Sequence, residues 1–311
     1  MRLPLQIEKS LKILIGIFIS VALITFFYEK HINSLKIENG FDWYRIMSVN
    51  IFLKCNEYYC ESFLIPLLSN ILNLNNNYIQ YTNANIIYYI FVGSFFNIFI
   101  LYKENIKIAL FSIFIIQSSI FYNLYFLQPN FPDFIFIYCS VFSIYCYLKF
   151  DKYIYFLLPF SLHPTLALFI LFFLIAIILL EKPSKKNHIT LINLINITAL
   201  GFMLSKIYLL LVDSSGYESR FKFIINNFHL LNQKSGLLNA NLFDTLNYIT
   251  IGCLLFYLIL NKSRIKIIQL FFVITIGLIL EFLSFDPIRI YRTFTTPLLF
   301  YIYYENCLSK K

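Results

Sequence analysis

The sequence predicts an all-α fold, a polytopic integral membrane protein of about nine to ten transmembrane or re-entrant helices. Three observations carry this. The 311 residues are 59% hydrophobic and only 13% charged, with a mean hydropathy of +0.71, more apolar surface than a soluble domain can hide. Apolar runs long enough to cross a bilayer recur along the whole chain. Lysines and arginines gather at one set of run ends, as they do in cytoplasmic loops. The formal charge of +9 would point to nucleic acid in a soluble protein. Here it is read as loop bias, and no nucleic-acid partner is expected.

No internal repeat emerges, and residues 1–311 read as a single membrane domain with long outer loops at 29–83 and 213–241. Arg2, Lys9 and Lys12 precede an apolar stretch from Ile13 to Tyr28. A small-x-small cleavage site is missing and further spans follow, so 10–28 reads as an uncleaved first helix. The next spans are expected at 84–102, 107–127, 131–149, 189–212, 242–260, 266–283 and 293–308. Between them lies 153–180, interrupted by Pro159 and by His163-Pro164. Each proline removes a helix donor and disfavours helix in the residue before it, so this segment is predicted as two pieces.

The basic residues decide how those pieces run. Lys103, Lys107, Lys149, Lys152, Lys182, Lys185, Lys186, Lys262, Arg264, Lys266, Lys310 and Lys311 all fall on the N-terminal side only if 153–180 enters and returns as a broken hairpin. There, with Arg2, Lys9 and Lys12, they outnumber the acids Glu8, Glu104, Asp151, Glu181 and Glu305. Such a face is cytoplasmic, which puts both termini inside the inner (plasma) membrane. A single span at 153–180 would invert everything after it and abolish the bias.

This threading leaves a second set of ionisable groups outside. Asp42 and Arg45 stand three apart in "FDWYRIMSVNIFL" (41–53), on one side of an interfacial helix rich in aromatics. They either pair with each other at the surface, worth about 0–1 kcal/mol, or serve a site. "ESFLIPLLSNILNL" (61–74) is too short to span and reads as a re-entrant or surface helix, with Glu61 facing an aqueous cavity. Asp133 closes the outer loop "QPNFPD". His163 is either a helix-end histidine satisfied by a carbonyl or a proton donor, acceptor or ligand at the floor of an outward cavity.

Asp286 precedes Pro287 at the start of the last span, and Arg289 and Arg292 follow at helical spacing. Two arginines at that depth suit a phosphate or diphosphate, gripped bidentately; the alternative is snorkelling to lipid headgroups. Arg220 and Lys222, with His229, are a second candidate anion contact in the 213–241 loop, and Lys206 lies near the outer end of its span. Cys55 and Cys60 are spaced to form a disulfide if their loop is outside, without requiring one; Cys139, Cys146, Cys253 and Cys307 read as packing residues. The sequence has no HxxxH, CxxC or DxD and no Gly-rich phosphate loop, so no metal, no cofactor and no ATP chemistry is expected.

Carboxylates, a histidine and arginines beside the outer leaflet suit a lipid phosphate that carries sugars. Transfer from such a donor needs a base for the acceptor hydroxyl and cations for the departing phosphate. Tyrosines and Trp43 offer stacking faces to sugar rings.

The motifs that hold these residues resemble those of EpsG/Wzy-type polysaccharide polymerases. Asp42-Trp43-Tyr44-Arg45, followed by Cys60-Glu61-Ser62-Phe63, is similar to the opening of that family. "FSLHPT" (160–165) looks like its mid-chain histidine motif, and "DPIRIYR" (286–292) like its arginine-bearing late span. The chain departs from the pattern at Tyr44, two residues after Asp42 rather than three, and at 128–133, which lacks an arginine. The first-loop aspartate also resembles that of GT-C membrane glycosyltransferases. The resemblance implies a polymerase of surface polysaccharide that uses a polyprenyl-diphosphate-linked sugar, with other polysaccharide-assembly proteins as partners. It implies Asp42 as general base with Glu61 second, His163 as a proton relay, and Arg289 and Arg292 as diphosphate ligands. Arg45, Asp133, Arg220, Lys222 and Asp286 complete the expected substrate contacts. A GT-C enzyme that adds one sugar and a flippase of lipid-linked sugar are the alternatives.

Overall fold

The structure is a computed structural model that describes residues 5–34, 45, 48–49, 62–126, 133–181, 185–211, 242–282 and 287–309. Among these, every regular element is a helix. In chain order they are α1 (Leu5–Ser34), α2 (Leu64–Ile71), α3 (Tyr78–Lys103), α4 (Ile106–Phe126), α5 (Asp133–Phe150), α6 (Leu157–Leu162), α7 (Pro164–Leu179), α8 (Lys185–Leu211), α9 (Leu242–Leu260), α10 (Arg264–Phe282) and α11 (Pro287–Leu308). A short 3-10 turn, Ile154–Phe156, leads into α6. By length and composition, three segments are long and apolar enough to cross a membrane: Ile79–Lys103, Asp133–Phe150 and Asn187–Leu211. Ile106–Ser119, Pro164–Leu179 and Tyr248–Leu260 are shorter apolar helical segments.

Local chemistry sets the boundaries. The Asn77 side chain accepts the Gln80 N–H at 2.8 Å, and this cap starts α3 several residues before the expected 84. Pro164 and Pro287 occupy first-turn positions of α7 and α11, where a missing N–H costs nothing. Asp151 and Lys262, both at φ 53°, reverse the chain after α5 and α9. The short helix expected in 61–74 is α2, with Pro66 in its first turns; Glu61 itself lies outside the described residues.

α11 is the axis of the bundle. It packs against α4, α5, α7 and α10, and every residue from Tyr291 to Tyr304 is buried. Close approach needs small residues. A Cβ on Gly277 of α10 would meet the Tyr291 ring at 2.7 Å, and one on Gly93 of α3 would meet the Tyr138 hydroxyl of α5 at 2.8 Å. Outward sides of α1, α3, α8, α9 and α10 carry exposed Phe, Ile and Leu, such as Phe18, Phe91, Leu210, Phe256 and Ile268.

One end of the bundle is tied by charge. Glu104, just past α3 and 3% exposed, accepts hydrogen bonds from Tyr145 of α5 (2.8 Å) and Tyr304 of α11 (2.6 Å) and pairs with Lys149. Its backbone carbonyl accepts from Lys12 of α1 at 2.8 Å. Next to Tyr304, Glu305 pairs with Lys266 at the start of α10. Lys266 also reaches Glu181 at 2.7 Å, and Gln269 donates to the Ile177 carbonyl at 2.9 Å. Lys12, Glu104, Lys149, Glu181, Lys266 and Glu305 therefore share one end, called the basic end below.

Both ends of the 153–180 segment lie there. Tyr153 meets Thr190 at 3.2 Å near the start of α8, and its ring lies 5.3 Å from that of Tyr147 at the close of α5. Glu181, at the other end, is held by Lys266 and, at 3.3 Å, by Tyr301. The segment thus leaves the basic end as α6, turns at His163 and returns as α7, the broken hairpin that Pro159, Pro164 and the lysines predict.

Glu104 gives this end a pH dependence. Burial alone would raise its carboxyl, but the donors Lys149, Tyr304 and Tyr145 outweigh burial and hold the pKa below the ordinary carboxylate value. A depressed pKa contributes stability in full above the unfolded value, and that contribution fades as pH falls through the folded one. Melting of the purified protein between about pH 7 and about pH 3 is expected to fall more steeply for wild type than for Glu104→Gln. Parallel curves would mean that the clamp does not depend on the Glu104 charge.

Candidate functional site

The half of the bundle away from the basic end carries a different set of polar groups. Contacts fix their depth. Rings of Tyr89 and Phe134 (5.0 Å), Phe96 and Tyr138 (5.7 Å), and Phe99 and Phe142 (5.7 Å) align α3 and α5, running in the same direction. Tyr145 and Tyr304, 5.1 Å apart, align α5 with α11. Asp133 and Arg292 each precede these tyrosines by about 12 residues, about 18 Å of helix. They lie at the same level, and each is 1% exposed.

His163 enters from the hairpin turn. Its ring is buried and sits edge-on to Phe136, 5.8 Å between centroids, about one turn below Asp133. The Nδ1 accepts the Leu166 N–H at 3.4 Å, so His163 is the N-cap of α7. The Leu166 backbone N–H is thus one partner of the ring. The His163 backbone is half-turned, with φ −157° and ψ 80°, between the two helices that prolines delimit.

Hydroxyls and amides fill the same half. Thr293, Thr295 and Thr296 of α11 are buried beside Arg292, and Thr296 hydrogen-bonds Ser119 of α4. On α3, Tyr81, Thr82 and Asn85 are fully buried. Nearer mid-depth, Gln117 of α4 donates to Tyr138 of α5 at 2.9 Å and to Asn97 of α3 at 3.4 Å, which joins three helices. None of these amides was marked by the sequence reading, since a single Asn or Gln in an apolar run carries no periodic signal.

The expected site residues divide as follows. Asp133, His163 and Arg292 are buried at the same depth to within about one turn, on α5, at the hairpin turn and on α11. Arg45 belongs to another part. It is half-buried, and its carbonyl accepts from Ser48 at 2.6 Å. The Ser48 carbonyl in turn receives Asn70 (2.7 Å) and Asn75 (2.8 Å), which docks Ser48 on α2 and its following turn. Lys206 of α8 stacks over Phe202 of its own helix at 5.2 Å. Asp42, Glu61, Arg220, Lys222, Asp286, His229, Cys55 and Cys60 lie outside the described residues; Arg289 falls within α11, with its side chain outside them. Cys139, Cys146, Cys253 and Cys307 are free thiols, with Cys146 and Cys307 in the core and Cys253 exposed on α9. Among the described residues no group of three or more His, Cys, Asp or Glu is placed to hold a metal ion.

An arginine, an aspartate and a histidine buried at one depth are residue types that can bind an anionic group and move a proton. No family model matches the chain, and no curated protein or solved structure matches it either.

The cap and the chemistry of His163 are separable. Asparagine is as good an N-cap as exists, whereas removing a cap side chain costs about 1 kcal/mol. His163→Ala is expected to lower the melting temperature, and His163→Asn to leave it near wild type. Equal melting of wild type and His163→Ala would remove the capping role.

Proposed function

We propose that the chain is a plasma-membrane protein of nine to ten transmembrane or re-entrant helices, with its basic end in the cytoplasm. In this reading it is a glycosyl-transferring polymerase of surface polysaccharide, acting on polyprenyl-diphosphate-linked sugars at the outer face. The observation that carries the reading is Arg292, 1% exposed at the level of Asp133 and within about one turn of the depth of His163. A guanidinium at that depth can grip an anionic group bidentately. A diphosphate head at the end of a long hydrocarbon tail brings two negative charges to that depth while the tail stays in lipid.

The roles follow from the chemistry. Arg292, with Arg289 one turn earlier, holds the diphosphate and stabilises it as it departs. Asp42 is the first choice of base for the acceptor hydroxyl, with Glu61 second. His163 relays a proton. Asp133 sets the charge balance of the layer. The tied basic end supports an enzyme over a flippase, because alternating access would require breaking the Glu104, Glu181 and Glu305 contacts together.

Orientation is testable by cysteine labelling with an impermeant maleimide after the native cysteines are removed. A cysteine at Lys185 is expected to react only in opened cells. Reaction in intact cells would overturn the threading.

Arg292 tests the chemistry. Removing one charge from a buried layer destabilises by about 3–5 kcal/mol, so Arg292→Gln alone would confuse folding with function. The double variant Asp133→Asn, Arg292→Gln removes one charge of each sign. It is expected to fold and to lose polymer formation from a synthetic polyprenyl-diphosphate oligosaccharide by about 100-fold or more. A folded double variant that polymerises at the wild-type rate would exclude the arginine, and with it the phosphate-bearing substrate.

A further inference from the structure

Asn85 is the anomaly of the buried layer. It is 0% exposed in α3, and neither its Oδ1 nor its Nδ2 has a hydrogen-bond partner among the described residues. A carboxamide left that way is destabilising, and leucine of nearly the same size would remove the penalty. Asn97, two helical turns beyond Tyr89 on the same helix, is satisfied at its Oδ1, which accepts from Gln117, whereas Asn85 is satisfied at neither end. A buried polar side chain that the fold does not satisfy requires another explanation.

Its position supplies one. Asn85 is one turn before Tyr89, whose ring packs on Phe134, so Asn85 lies one turn beyond the Asp133 and Arg292 level. Tyr81 and Thr82, one turn further and also fully buried, continue the same face of α3. A polar strip thus leads away from the cation layer. Arg292, at nearly the same depth on α11, suits an anion, but a carboxamide is neutral and offers an acceptor and two donors together. Its complement is a group with both functions, and adjacent sugar hydroxyls are that group.

We propose that Asn85 is a sugar-binding residue, hydrogen-bonding hydroxyls of the ring next to the diphosphate while Arg292 holds the phosphates. The proposal rests on the reading under Proposed function. It assigns Asn85 to specificity and not to bond making, so its loss weakens use of the sugar-bearing lipid through KM, with kcat less affected.

The test compares wild type with Asn85→Leu in purified full-length protein, using a synthetic polyprenyl-diphosphate trisaccharide and the same polyprenyl diphosphate without sugar. Asn85→Leu is expected to melt at or above the wild-type temperature. It should raise KM for the trisaccharide lipid about 10-fold or more and bind the sugar-free lipid as wild type does. If wild type neither turns over nor binds the trisaccharide lipid, the polymerase reading fails and this inference fails with it. If wild type uses that lipid and Asn85→Leu uses it equally well, Asn85 is no ligand, while the reading stands. Melting of Asn85→Leu well below wild type would assign Asn85 to the architecture and also overturn the proposal.

Discussion

A carboxylate taken out of water into the space between helices must find cations or hydroxyls there, or it costs several kcal/mol. At the basic end that demand is met by consecutive residues of the central helix. Tyr304 donates to Glu104, and Glu305 shares Lys266 with Glu181. One turn of α11 thereby binds the end of α3, the end of α7 and the start of α10, while Tyr145 and Lys149 bring in α5 and Lys12 brings in α1. The hairpin depends on this, because a segment with two prolines has too few internal hydrogen bonds to hold its own course. It returns to the basic end because Glu181 has its partners there.

The rough path of the chain was legible for the same reason that membrane proteins in general are. Apolar runs of about 20 residues and lysines at their ends mark α1, α3, α4, α5, α8, α9, α10 and α11 within a few residues, and the proline pair marks the break between α6 and α7. Boundaries were less legible where a cap decides them. Asn77 starts α3 early through one side-chain acceptor, which no hydropathy window sees. Glu104, Glu181 and Glu305 read as a minority of acids on a basic face. Their role depends on Tyr145, Tyr301 and Tyr304, which counted as apolar residues in the sequence although their hydroxyls are the donors in the structure.

The site was legible in part. Arg292 and His163 are conspicuous because charge and histidine are rare in apolar runs, and helical spacing after Pro287 puts Arg292 inward of the span's start. Asp133 was placed in a loop contact and turns out to open α5, fully buried. Asn85 gave no signal. Its meaning comes from burial without a partner, a property of the packed molecule that a list of residues does not contain.

The two ends of the bundle follow opposite rules. At the basic end the carboxylates meet lysines and tyrosine hydroxyls, and that end is rigid by construction. In the far half a buried asparagine without a hydrogen-bond partner among the described residues lies within about one turn of the depth of Asp133 and Arg292, where an apolar residue would stabilise the fold more. Retaining polar groups at that cost is sensible when something other than the fold uses them, since stability and a preorganised site are often in conflict. In the proposed reading the direction of access follows as well. An amphiphile whose anionic head is to meet Arg292 and whose tail remains in hydrocarbon needs no route through the tied end. It can arrive and leave on one side of the bilayer, which is what a polymerase requires of a lipid-linked donor and what a carrier cannot accept.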